Sequence, residues 1–202
     1  MVDDMIRLTE RYGLPTTIAN NNDFVEVEMY RIFLPEFSTS LSLSLFAVIT
    51  VVGFITANWQ MSLLIVASVI LVDFYLVSLI YFWGMTLNMF TGINMVISMG
   101  LAVDYSAHIA HKFMLLEPKD PVVARNAKKL RHYKAQNAIS KIGASVFHAA
   151  FSSLLALSVL GWSKSYHFQV GFRIWVGIIS FGFFTGFFLL PVVLSWVGPV
   201  VV

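Results

Sequence analysis

Apolar residues in this chain gather into long runs, and what separates the runs is short clusters of polar or turn-forming residues. The hydrocarbon core of a bilayer is about 30 Å thick and takes about 20 residues of helix to cross, so an apolar run of that length reads as a membrane helix. Five such runs occur: about Leu34 to Ala57, Met61 to Trp83, Met85 to Phe113, Ile142 to Gly161 and Val170 to Val197. Only Asn58, Trp59 and Gln60 separate the first two, and a break near Gly84 divides the second from the third. Connections this short predict tight antiparallel hairpins. The expected fold class is an all-α membrane protein of five transmembrane helices.

Composition strengthens that reading. Hydrophobic residues are 58% of the chain, charged residues 12%, and the mean hydropathy is +0.79. Soluble domains carry about 25% charge. The chain reads as an integral, multi-pass membrane protein. No cysteine is present, so neither a disulfide frame nor a thiolate metal site can form.

Charge outside the runs orients them. Between His111 and Ile142 stand eight basic residues (Lys112, Lys119, Arg125, Lys128, Lys129, Arg131, Lys134 and Lys141) against Glu117 and Asp120, a net +6. The positive-inside rule places this segment, residues 114 to 141, in the cytoplasm. Residues 1 to 36 carry three arginines against seven acids, a net −4, which suits the opposite side. The N-terminus is therefore expected to be extracytoplasmic and the C-terminus cytoplasmic. Residues 1 to 33 contain no apolar core run of the kind a signal peptide needs. Residues 3 to 12 are expected to form a short amphipathic helix, followed by a polar loop at Asn20, Asn21 and Asn22. The basic segment is expected to form a surface helix over about Asn126 to Ile139, with its charge explained by topology and attraction to anionic lipids. Nucleic acid is not an expected partner.

Polar residues inside the apolar runs are the candidate chemistry. Asp104 interrupts the third run, and an aspartate at bilayer depth costs roughly 2.5 to 3.5 kcal/mol on insertion scales, which marks it as a functional candidate. His108 and His111 follow at i+4 and i+7, on the same helical face. Asp73 lies near the middle of the second run. Counted from Met61 it is about 18 Å deep at 1.5 Å per residue, and Asp104 counted from Lys112 is about 12 Å deep. The two depths are similar enough for both carboxylates to face one cavity.

For Asp104 the sharper expectation is a titratable or ion-coordinating group coupled to a conformational change, with His108 holding it ionised or relaying its proton. The plainer one is a static Asp104–His108 pair that pins helix packing. Asp73 is a secondary coupling candidate, or a hydrogen-bond partner of Tyr75 or Tyr105. Tyr105 reads as an interhelical donor or as part of a proton path. His148 reads as an interfacial residue. His108 and His111 lack a third ligand, so no metal and no cofactor is expected.

Gly182 and Gly186 form Gly-x-x-x-Gly in the fifth run, a spacing that lets helix backbones approach closely, and Gly100 is assigned the same packing role in the third. No nucleophile elbow, phosphate loop or paired-histidine hydrolase motif occurs. Ser98 and Ser106 lie near Asp104 and the histidines, but a triad drawn from neighbouring turns of one helix cannot orient itself and has no oxyanion hole. The chain is not expected to be an enzyme.

The segment FWGMTLNMFTGINMVISMGLAVDYSAHIAHKF resembles the Patched-related group of the resistance-nodulation-division superfamily, which includes Niemann-Pick type C proteins and bacterial lipid exporters. The similarity continues through GASVFHAAFSSLLALSVLGWSKSYHFQVGFRIW to GFFLLPVVLSWVGP, covering nearly all of residues 24 to 200. The resemblance implies twelve-helix transporters of two related halves, each half with an extracytoplasmic domain after its first helix. The present helices would be the last five, and residues 1 to 33 the tail of the second such domain. On this footing the chain is a fragment, a split-gene subunit or a remnant, whose partners are membrane lipids or sterol and the missing N-terminal half.

The family's acidic position in Gly-x-x-x-Asp falls on Asp104. The Asp104–Tyr105 pair is similar to pairs that relay protons in lipid exporters, and His108 matches a histidine that often follows. The resemblance thus implies an ion-gradient-coupled lipid or sterol transporter; the alternative is a non-transporting structural membrane subunit. Two positions depart from the pattern: His148 and Ala149 stand where a glycine is frequent, and Thr185 where a histidine often precedes Gly186.

Overall fold

A computed structural model of the chain describes Arg7, residues 10–13, 22–118 and 120–199, and every regular element among them is helical. In order these are α1 (Asn22–Thr56), α2 (Trp59–Phe82), α3 (Met89–Leu115), the single-turn α4 (Pro121–Arg125), α5 (Ala127–Gly161), α6 (Tyr166–Phe184), a π-helical segment (Thr185–Leu189) and α7 (Leu190–Val197). Of the helix expected over residues 3 to 12, Arg7, Glu10 and Arg11 are helical and Tyr12 lies in a turn; Asn22, expected in a polar loop, opens α1, and the rest, with Asn20 and Asn21, lies outside the described residues.

The chain divides into two compact units, Met1–Ser40 and Leu41–Val202. In the first, Phe33 and Phe37 stack with ring centroids 5.5 Å apart, and the hydroxyls of Ser38 and Thr39 donate to the Pro35 carbonyl at 2.9 and 2.8 Å. The second is the helix bundle.

Local chemistry sets the hairpins of the bundle. Asn58 caps α2, its side-chain oxygen accepting from the backbone N–H groups of Gln60 and Met61. At the other end Gly84 takes φ +61°, a left-handed conformation that glycine adopts without a Cβ penalty. Asn88 then opens α3 with a capping box: its side chain accepts from Thr91 N–H while the Thr91 hydroxyl oxygen accepts from Asn88 N–H. The third helix therefore starts at Met89 and not at Met85.

Two further bounds differ from the runs read in the sequence. Helix α1 begins at Asn22, twelve residues before Leu34: Glu26, Glu28 and Arg31 interrupt the apolar run in the sequence without ending the helix. The expected surface helix and the fourth run are one element. Asn126 caps α5 by accepting from Lys128 and Lys129 N–H, and no proline interrupts the 35 residues that follow. Lys134, expected in a solvated segment, is buried, with the Glu117 carboxylate as opposing charge.

Among the described residues, four helical stretches are long and apolar enough to cross a membrane: Arg31–Thr56, Trp59–Phe82, Ala127–Gly161 and Tyr166–Val197. Helix α3, at 27 residues, is more polar and packs against α2, α5, α6, the π segment and α7. Its central position lets it carry Asn94, Ser98 and Ser106 buried among neighbours.

The ends of the bundle are fixed by contacts far apart in sequence. At one end Gln60 Nε2 donates to the Val197 carbonyl at 2.7 Å, and Arg131 donates to the carbonyls of Gly198 and Trp196 at 2.8 and 2.9 Å. Val52, Met61, Ile65, Phe113, Ala138 and Leu194 are buried together there. At the other end Phe90 meets His167 edge to face at 6.1 Å, and Arg173 lies 5.9 Å from the centroid of Trp83. Helix α3 thus begins beside the start of α6 and ends beside the end of α7.

Candidate functional site

Helix α3 carries chemistry on two of its faces. On the inward face Ser98 is fully buried and donates from its hydroxyl to Asp73 Oδ1 of α2, which is 8% exposed. The same hydroxyl lies 2.6 Å from the Met95 carbonyl. A hydroxyl has one proton, so Ser98 serves one of the two acceptors at a time. The arrangement is filled either by a carboxylate that accepts the Ser98 hydrogen bond or by a carboxylic acid that donates to Ser98 while Ser98 donates to the Met95 carbonyl. Asp73 Oδ2 has no partner, and neither does the hydroxyl of Thr185, which is 0% exposed.

Asp104 and His108 lie on the outward face, both exposed. With the half-buried Tyr105 they line a groove of about 380 Å³ between α3 and α5, whose other walls include Ile142, Ser145, Val146 and Ala149. Asp73 does not line it. From Ser98 to Asp104 a helix turns through about 600°, well past one full turn, so the two carboxylates address different surroundings despite their similar depth. No hydrogen bond joins Asp104 to His108 among the described residues. His111 and His148 are also exposed.

Tyr105 connects the two faces. A Cβ placed on Gly186 would lie 2.9 Å from Tyr105 Cβ and 3.0 Å from its carbonyl carbon, and one on Gly182 would lie 3.1 Å from its ring. The Gly-x-x-x-Gly pair is therefore where the last helix comes closest to α3. Gly100 behaves differently: it is exposed, and a Cβ there would meet nothing within 4 Å. It lies one turn before Asp104 on the outward face.

The π segment begins at Thr185, directly before Gly186. Pro191, two residues past its end, supplies no N–H to the helix, and the widened turn upstream absorbs the mismatch. Sequence reasoning missed this segment and the Ser98 partner of Asp73. The signal for the first was a proline five residues after a glycine in an unbroken apolar run. Nothing in the sequence signalled the second, because helix rotation fixes it. Among the described residues no three His, Asp or Glu side chains stand together as a metal set.

No family model matches the chain. It is similar to the NPC intracellular cholesterol transporter 1 of Sus scrofa, 30% identical over 81% of this chain and 12% of the relative. The Niemann-Pick type C1-related protein of Toxoplasma gondii is 29% identical over 82% of this chain and 13% of its own length. The protein patched homolog 1 of Caenorhabditis elegans is 25% identical over 98% of this chain and 14% of its own. The chain thus spans only about an eighth of the length of these relatives. An all-helical bundle with membrane-length apolar helices and relatives of this one kind make the chain a Patched- and NPC1-related protein of the resistance-nodulation-division superfamily.

Proposed function

We propose that this chain is a part or subunit of an ion-gradient-coupled lipid or sterol transporter, with Asp104 as the coupling carboxylate, Tyr105 and His108 as its partners and Asp73 as a secondary site. The observation that carries the reading is the exposed stripe Gly100, Asp104 and His108 on α3. A carboxylate left open at bilayer depth, where it costs roughly 2.5 to 3.5 kcal/mol, calls for a wet path or another membrane element against it. Gly100 leaves room for a helix to approach one turn from that carboxylate. The missing N-terminal half of the transporter is the partner this face suits. Sterol as the substrate class comes from the relatives named cholesterol transporters.

The same reading gives α3 a full crossing, as the fifth span. Support comes from its length and from its two ends, which keep level with the ends of α6 and α7. The basic end of the bundle, carrying the start of α5, then faces the cytoplasm, and residues 1 to 33 form the extracytoplasmic tail. In this reading the chain is not an enzyme.

A second reading, a non-transporting structural subunit, is favoured by how little the bundle covers of α1 and α5, where 11% and 17% of the most apolar window is buried. Apolar helices so exposed can pack against unrelated membrane proteins. The two readings separate in a transport or growth-complementation assay on the complete transporter. Asp104→Asn is expected to abolish activity at normal expression and folding; retained activity would sink the coupling role. Copurification of an unrelated assembly with the native chain would favour the structural reading.

A further inference from the structure

Away from the Asp104 groove, two adjoining hollows lie where α5 starts and α7 ends. The outer one, about 580 Å³, is lined by Lys128, Lys129, His132 and Tyr133 of α5 and by Trp196 of α7. The inner one, about 330 Å³, is walled by Ile139, Phe187, Phe188, Pro191 and Val192. They share His132, Gln136 and Ser195. From Lys128 to Ile139 the groove follows one face of α5 for about 16 Å at 1.5 Å per residue.

Its two ends differ in chemistry. Cationic and amphipathic aromatic side chains stand at the outer end, aliphatic and phenylalanine side chains at the inner one, and no acidic residue lines either part among the described residues. The walls are held in register by Arg131, which faces away from the groove's lining and clamps the carbonyls of Trp196 and Gly198. Leu130 and Ala138, which line neither hollow, are buried in the bundle. Such a groove is built to take a molecule with one anionic end and one apolar end.

We propose that this groove binds an anionic phospholipid of the adjacent leaflet, its phosphate between Lys128 and Lys129 and an acyl chain along Phe187, Phe188 and Val192. Ammonium groups on flexible stems suit phosphate as point charges. Tyr133 and Trp196 stand at the level where amphipathic rings meet headgroups. A zwitterionic headgroup would bring its own cation against the lysines, and a free phosphate would leave the apolar half of the groove unused. The site rests on the chain lying in a membrane and is independent of any role for Asp104.

Native mass spectrometry of the full chain in detergent tests it, with dioctanoyl phosphatidylglycerol, dioctanoyl phosphatidylcholine and glycerol phosphate as probes. Phosphatidylglycerol is expected to form a one-to-one adduct at concentrations where the other two do not. At about 1 kcal/mol per lysine, Lys128→Gln with Lys129→Gln should weaken it roughly thirtyfold. Lys128→Arg with Lys129→Arg should keep it. The charge-matched control, Lys141→Gln with Lys164→Gln, removes two exposed lysines outside the groove and should change it less than threefold. Equal losses in the two glutamine pairs, absence of the adduct, or equal binding of phosphatidylcholine or glycerol phosphate would each overturn the site.

Discussion

Replacing Gly186 by alanine adds one methyl at the closest approach of the last helix to α3. The added carbon would lie 2.9 Å from Tyr105 Cβ, 3.0 Å from its carbonyl carbon and 3.2 Å from Ser106 N. Carbon pairs pack best at about 3.5 to 4.0 Å, and main-chain atoms cannot turn aside, so the π segment must move off α3 by roughly half an ångström. Overpacking of this kind costs about 1 to 3 kcal/mol, partly offset by the roughly 0.5 to 1 kcal/mol by which alanine outperforms glycine inside a helix. The expected net loss is about 0.5 to 2 kcal/mol. Gly182→Ala meets the Tyr105 ring at 3.1 Å, a side chain that can swing, and should be near neutral. Gly100→Ala meets nothing within 4 Å and should gain roughly 0.5 to 1 kcal/mol. Reversible unfolding of the three variants in mixed micelles, followed by tryptophan fluorescence, gives the order. A Gly100→Ala chain as unstable as Gly186→Ala, or a Gly186→Ala chain no less stable than the parent, would refute the reasoning.

Ala57 takes φ +45°, a left-handed conformation that a Cβ makes costly, so Ala57→Gly should raise the unfolding free energy by about 0.5 to 1 kcal/mol; an unchanged or lower value in the same titration would place the turn elsewhere. Ser98→Ala should cost about 1 to 3 kcal/mol by leaving Asp73 without its hydroxyl partner, and much less in an Asp73→Leu background, where no carboxylate is left to lose that partner and the Ser98 hydroxyl has only the Met95 carbonyl. A double-mutant cycle reads the difference, and additive losses would mean the pair does not interact.

The membrane character and the all-helical class were legible because run length alone separates a bilayer helix from a strand or a soluble helix. Helix ends were less so. Glu26 and Glu28 read as a boundary, yet the backbone hydrogen bonds of α1 continue through them, since leaving the apolar region does not oblige a helix to stop. Asn88 and Thr91 offered a readable capping pattern that an eye on hydropathy passed over. Rotation was beyond reach. Helix α2 is apolar on nearly all sides and α3 carries polar residues on more than one face, so nothing in their pattern said that Asp73 turns inward to Ser98 or that Asp104 turns outward. Lys134 shows the same limit from the other direction, a charge in a basic run that the bundle covers.

The two carboxylates stand in different surroundings. Asp73 is held inside the chain by Ser98. Asp104 opens outward and shares its groove with Tyr105, so its surroundings are set by whatever covers that face. Tyr105 ties the outward face to the bundle: its ring rests on Gly182 and its main chain on Gly186. A shift of the Asp104 turn would therefore press first on a soft contact and then on a hard one. The hard contact falls within the π segment, where the turn is wider than in an α-helix and the Thr185 hydroxyl has no partner. Movement at Asp104 should thus be taken up at Thr185 and Gly186 before it reaches Asp73.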